Sequence, residues 1–149
     1  QTCCQAGAIL AQAGSEQEEA AKTFGLNMGI AFQLVDDALD YAAKPSQSGK
    51  PLGGDLREGK LTLPLIFFLN RLGAADKKQI LAKIKDQTLS AEEQAWILER
   101  IEESGLSQQA RYEADSFLNT AKQALQAFPP SPERELLSQS LEFIRDRWE

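Results

Sequence analysis

The sequence predicts an all-α fold, and three observations carry that expectation. Apolar residues recur at three- and four-residue spacing over long stretches, as at Ala110, Ala114, Phe117, Leu118, Ala121 and Leu125. Helix starts and stops punctuate the chain, with Ser90 three residues before Glu93, Ser131 beside Pro132, and Gly105 after a periodic run. No segment alternates apolar and polar residues cleanly enough to be a strand. With short connections the expected architecture is an antiparallel helical bundle, and 149 residues of which 42% are hydrophobic are enough for one domain with a sizeable core.

The elements follow in order. Residues 1–13 read as the end of a helix that begins before Gln1, and Cys3 and Cys4 read as small buried residues within it. Gly14 and Ser15 mark a break. Ser15 with Glu18 predicts a capping box, and acids at 16, 18 and 19 suit the positive end of a helix dipole, so a long helix is expected over about 16–42. Gly25 and Gly29 lie inside it. Glycine costs about 1 kcal/mol there, so close helix packing or the approach of a ligand is expected at both. Residues 44–60 read as a loop, because Pro45, Gly49, Pro51, Gly53, Gly54 and Gly59 are too dense for regular helix. Thr62 predicts a cap with Pro64 in the first turn of a buried helix that Gly73 ends. Residues 75–86 read as an amphipathic helix with Ile80, Leu81 and Ile84 inward. Further helices are expected from Ser90 to about Ser104, over 107–127, and from Ser131 to the end, the last facing inward through Leu136, Leu137, Leu141, Phe143 and Ile144.

The residues that point to chemistry lie between Phe32 and Lys60. Asp36, Asp37 and Asp40 form a D-D-x-x-D pattern near the end of the long helix. Asp36 and Asp40, four apart, share a face with Gln33, while Asp37 is turned aside by about 100°. Carboxylates on one face repel each other unless a divalent ion or nearby lysines relieve them. Phe32, Leu34, Val35 and Leu39 make the same helix largely apolar, which argues against a simply solvated acidic face. Magnesium suits the pattern best, since it takes oxygen ligands and is usually held by one or two carboxylates plus substrate phosphates. The chain has no histidine, which excludes an imidazole-based zinc or iron site. In the following loop, glycines let backbone N–H groups approach an anion and Lys50 and Lys60 offer point charges to phosphate. Arg57 and Glu58 fit a solvent-exposed pair as well as a role at the site.

Composition narrows the rest. A net charge of −6 argues against nucleic acid and against a polybasic membrane patch. Adjacent cysteines do not make an ordinary disulfide, and no apolar run reaches the length of a membrane span, so a cytoplasmic protein is expected.

The stretch resembles the second aspartate-rich region of the trans-polyprenyl diphosphate synthases. It matches F-Q-x-x-D-D-x-x-D-Y at residues 32–41, G-K-P-x-G-x-D-L-R-E-G-K at 49–60, and T-L-P-L-I at 62–66, in the family's order and spacing. The resemblance implies a helical bundle of the isoprenoid synthase type. It implies elongation of an allylic diphosphate by isopentenyl diphosphate to a longer trans-polyprenyl diphosphate. By that likeness Asp36 and Asp40 hold Mg2+, Asp37 assists, and Lys50 and Lys60 contact the diphosphate. Gln33 lies beside the reacting carbons, Phe32 packs near the isopentenyl group, and Asp55 orients Lys50 or a metal-bound water. Arg145 or Arg147 would cover isopentenyl diphosphate, against a simpler reading as solvated helix charges. The wording of the loop is closer to the medium- and long-chain, octaprenyl-type synthases that make quinone side chains. The family's first aspartate-rich motif has no counterpart here, so the expectation is the C-terminal half of such an enzyme, inactive alone and homodimeric when full length. The competing expectation is a non-catalytic helical subunit whose partner carries the first motif.

Overall fold

The computed structural model describes residues 1–42 and 52–147. Among the described residues there are eight α-helices, one 3-10 turn and no strand, in agreement with the all-α expectation. The helices are α1 (Thr2–Leu10), α2 (Ser15–Leu39), α3 (Gly54–Arg57), α4 (Leu63–Asn70), α5 (Ala74–Lys85), α6 (Ala91–Glu103), α7 (Leu106–Ala124) and α8 (Pro132–Asp146), with the 3-10 turn at Leu125–Ala127. Among the described residues no helix is long and apolar enough to cross a membrane. The chain divides into two compact units, Gln1–Val35 with Tyr112–Glu149, and Asp36–Arg111.

In the first unit, α1 packs closely on α2. A Cβ at Gly25 would lie 2.7 Å from Cys4 Sγ and 2.9 Å from Cys4 Cβ, so the expected close approach is real at Gly25. At Gly29 nothing lies within 4 Å, and packing does not account for that glycine. Cys4 is partly buried but Cys3 is exposed, contrary to the reading of both as buried. The start of α2 also differs from expectation. Ser15 is already helical and Glu18 N–H donates to Gly14 O at 3.0 Å. The Glu18 carboxylate accepts instead from Gln5 Nε2 at 3.0 Å, which ties α2 to α1. The buried residues keep the helical period: Ala21, Phe24, Ala31 and Val35 on α2, then Ala114, Leu118 and Ala121 on α7. On α8 only Leu141 and Ile144 are buried among the five apolar residues expected inward, and Leu136, Leu137 and Phe143 are exposed. Ser131 caps α8 by accepting from Arg134 N–H at 3.2 Å, with Pro132 at its first position.

The second unit has a core of Tyr41, Leu56, Leu65, Phe68, Ile97 and Ile101, joined by Leu69, Ile84 and Leu106. Ile80 and Leu81 of α5 are partly buried against it, and Ile84 fully. Pro64, Leu65, Phe68 and Leu69 of α4 are buried, while Ile66 faces out. The ring of Phe68 meets Trp96 of α6 edge to face, centroids 5.5 Å apart. Ser90 and Glu93 form the predicted capping box, and Gly105, with φ 63°, ends α6. Glu93 also pairs with Lys83 of α5.

Candidate functional site

The site in the second unit is built around a helical turn that the glycine count concealed. Residues 44–60 are not all loop: Gly54–Arg57 form α3. Three local causes shape it. Gly53 precedes it at φ 75°, a left-handed conformation where glycine carries no Cβ penalty. A Cβ there would also lie 3.0 Å from both methyl carbons of Leu98. Leu56 is buried, fixing one face of the turn against the core. Gly59, at φ 76°, then closes the helix with paired bonds, Gly59 N–H to Leu56 O at 3.2 Å and Lys60 N–H to Asp55 O at 2.9 Å. That is the double bond of a Schellman ending, and it sets the direction in which Lys60 leaves.

Asp40 holds the start of α3. Its Oδ1 accepts from Gly54 N–H at 3.1 Å and its Oδ2 from Asp55 N–H at 2.8 Å. Its backbone carbonyl accepts from Gly53 N–H at 2.8 Å. At the other side of α3 the Lys60 ammonium sits 2.9 Å from Asp55 Oδ1 and 2.8 Å from Glu58 Oε2. Those hydrogen bonds, Glu58 first and Asp55 next, raise the Lys60 pKa above its ordinary value. An ammonium has three donors, so a phosphate oxygen could join the two carboxylates. Asp55 therefore orients Lys60 in this structure. Lys50, the other expected diphosphate contact, lies outside the described residues. Arg57 turns back to donate to Leu52 O at 2.7 Å.

Asp36 is exposed and Asp37 half-buried on the last turn of α2. No group of three or more Asp, Glu, Cys or His side chains converges on one point among the described residues. The donors are carboxylate oxygens, and Asp40 has both of its oxygens on backbone N–H groups. Such a set fits a hard divalent cation that one or two carboxylates share with oxygens of a bound phosphate, and does not fit an all-protein cage.

Directly after Asp40 comes a pair that the sequence left unassigned. Tyr41 is buried, and the buried Thr62 hydroxyl donates to its phenol oxygen at 3.1 Å. Thr62 holds the cap position of α4 as expected, but its side chain bonds no backbone N–H of that helix. Burial drives the Tyr41 pKa well above its ordinary value; the Thr62 bond opposes this, and Asp40, Asp55 and Asp37 add to it. A polar residue ending an aspartate motif, 21 positions before a threonine, gave no local signal of the pairing.

Phe32 and Gln33 belong to the first unit, and both are exposed. The Arg147 guanidinium carbon lies 4.7 Å from the centre of the Phe32 ring, within cation–π range. Arg145 pairs with Asp115 at 3.2 Å and Glu142 at 2.9 Å.

Comparison with known proteins identifies the family. The family model for polyprenyl synthetase matches residues 1–101. Octaprenyl diphosphate synthase of Escherichia coli K12 is 35% identical over 137 residues, covering 92% of this chain and 42% of that protein. Among solved structures, a decaprenyl diphosphate synthase from Rhodobacter capsulatus matches with a TM-score of 0.84 and 30% identity, over 97% of this chain and 45% of that one. A polyprenyl synthase from Caulobacter crescentus CB15, complexed with calcium and isoprenyl diphosphate, matches with a TM-score of 0.81 and 36% identity, over 96% and 44%. The chain thus spans about two-fifths of the length of the octaprenyl synthase it matches, 42%. With 101 of its 149 residues inside the family model and the aspartate motif, glycine turn and lysine all within that range, the chain belongs to the polyprenyl synthetase family, the trans-polyprenyl diphosphate synthases.

Proposed function

We propose that this chain supplies the allylic diphosphate side of a trans-polyprenyl diphosphate synthase, in which isopentenyl diphosphate extends an allylic diphosphate by five carbons. The observation that carries the reading is the Asp40–α3–Lys60 arrangement: it fixes a lysine within one short turn of an aspartate-rich helix end. An allylic diphosphate ionises at its C1–O bond, the isopentenyl double bond attacks the resulting cation, and a proton is lost. That chemistry needs charge stabilisation on the departing diphosphate and no nucleophilic side chain. Asp36, with Asp37 assisting, would hold Mg2+, which when bound offsets the negative charge of the diphosphate. Lys60 offers its ammonium to a diphosphate oxygen, and Lys50 is assigned the same task. Gln33 and Phe32 keep the roles the resemblance gives them. The wording of the loop favours the medium- and long-chain class, while the similar proteins include octaprenyl and decaprenyl synthases beside short-chain and geranylgeranyl synthases.

The test is an assay of the full-length protein with magnesium, radiolabelled isopentenyl diphosphate and an allylic starter, beside Asp36→Ala. Elongated products that fall about a hundredfold or more in the variant are expected. No elongation by the full-length protein, or undiminished turnover by Asp36→Ala, would overturn the reading.

A further inference from the structure

We propose that Asp40 is a positioning residue. It holds the start of α3 and, through Asp55, the Lys60 ammonium, and leaves the metal to Asp36 and Asp37. The proposal deepens the reading above and rests on it only for its kinetic arm.

Both Asp40 oxygens meet N–H donors of consecutive residues, at 3.1 and 2.8 Å. The main chain closes the same junction, with Gly53 N–H on Asp40 O at 2.8 Å. Hydrogen bonds from backbone N–H to a carboxylate are stronger than neutral ones. These bonds take one acceptor site on each oxygen and fix the carboxylate toward α3. The junction is also tight: a Cβ at Gly54 would lie 3.3 Å from Asp40 Oδ1. The residue whose N–H meets Oδ2 is Asp55, and the Asp55 side chain in turn accepts from Lys60 at 2.9 Å. Asp40 thus reaches Lys60 through two hydrogen bonds and one shared residue. Asp36 lies one turn earlier and is exposed.

Hydrogen exchange on the full-length protein without magnesium tests the anchor directly. The Gly54 and Asp55 amides are expected to exchange at least about tenfold more slowly than open-chain amides, and Asp40→Asn to accelerate both by about tenfold or more. Asp36→Asn should leave both unchanged. Amides that exchange at the open-chain rate in the wild type overturn the proposal without any variant. Kinetics then separate positioning from metal binding. Asp40→Asn should raise KM for the allylic diphosphate and keep the half-saturating magnesium concentration within about twofold of wild type. Lys60→Ala should add less than about twofold to KM in the Asp40→Asn background, because the two act through one path. Additive effects, or a magnesium requirement shifted as far as by Asp36→Asn, would return Asp40 to the metal. A protein with no turnover would sink the reaction assigned above, and the exchange rates would still decide the anchor.

Discussion

Tyr41 and Thr62 show how much one buried hydroxyl pair can do. Thr62 donates and Tyr41 accepts inside the core of the second unit. Removing one partner strands the other, whereas removing both leaves an apolar contact. Tyr41→Phe and Thr62→Val should each cost about 1–2 kcal/mol, and the double variant less than the sum, as read from urea unfolding. The pair also has a pH signature. Burial raises the folded pKa of Tyr41 above the unfolded value near 10. The stability that depends on a neutral phenol is therefore complete below about pH 10 and falls as the pH rises beyond it. Tyr41→Phe should lose that part of the alkaline decline; an unchanged decline in the variant would sink the claim. At this scale the sequence was readable where spacing sufficed. Asp36 and Asp37 stand out as candidates from a five-residue pattern, D-D-x-x-D, but the Tyr41–Thr62 contact depends on tertiary return of the chain. The link from Asp55 to Lys60 is local, five residues apart across the end of α3, whereas the resemblance gave Asp55 the task of orienting Lys50 or a metal-bound water.

Helix ends decide the elements. The capping box at Ser90 and the Ser131–Pro132 start were legible because their chemistry is local. Two endings lack the usual cap residue, although the end expected at residue 86 matches α5 to within one position. α1 and α5 finish with Gln12 and Gln87 at φ 53° and 54°, positions where glycine or asparagine is the usual signal. Both still make the paired closing bonds, Ala13 N–H to Ala8 O and Thr88 N–H to Lys83 O at 3.0 and 2.9 Å. The missed α3 has the converse cause. Its glycines read as loop, yet Gly53 and Gly59 flank the turn and only Gly54 lies within it. The two glycines of α2 give a matched test of packing against propensity. Gly29→Ala should stabilise by roughly 0.5–1 kcal/mol, because a methyl there meets nothing within 4 Å. Gly25→Ala should destabilise instead, since its methyl would press on Cys4. Thermal unfolding of the two variants with the same sign of change would refute the packing argument.

For the whole molecule, charge frames the binding problem. The chain carries a net charge of −6 and its proposed ligand is also an anion. The overall field therefore opposes binding, and local groups must reverse it. Magnesium and diphosphate are accordingly expected to bind as a pair. With the full-length protein, magnesium alone should move Tm by less than about 1 °C. Magnesium with inorganic diphosphate at a hundredfold excess over Kd should stabilise by about 2.7 kcal/mol, a rise of a few degrees. An equal rise with magnesium alone would mean that the carboxylates form an all-protein cage. The all-α class was readable at this scale because period and capping agree along the chain. The division into two units was not, because α2 and α7 each run from one unit into the other and leave no linker to mark the border.

The anchor at Asp40 is written almost entirely in main-chain donors, and this has a consequence for how freely the surrounding sequence can change. Gly53 is held to glycine by its φ and by Leu98, and at Gly54 a Cβ would already press on Asp40 Oδ1 at 3.3 Å. The N–H of residue 55 would serve equally well beneath another side chain, and Arg57 is exposed. The shape of the turn is thus stored at Asp40, Gly53, Gly54, Leu56 and Gly59, and its chemistry in the side chains at 55, 58 and 60, so either can be rewritten while the other stays.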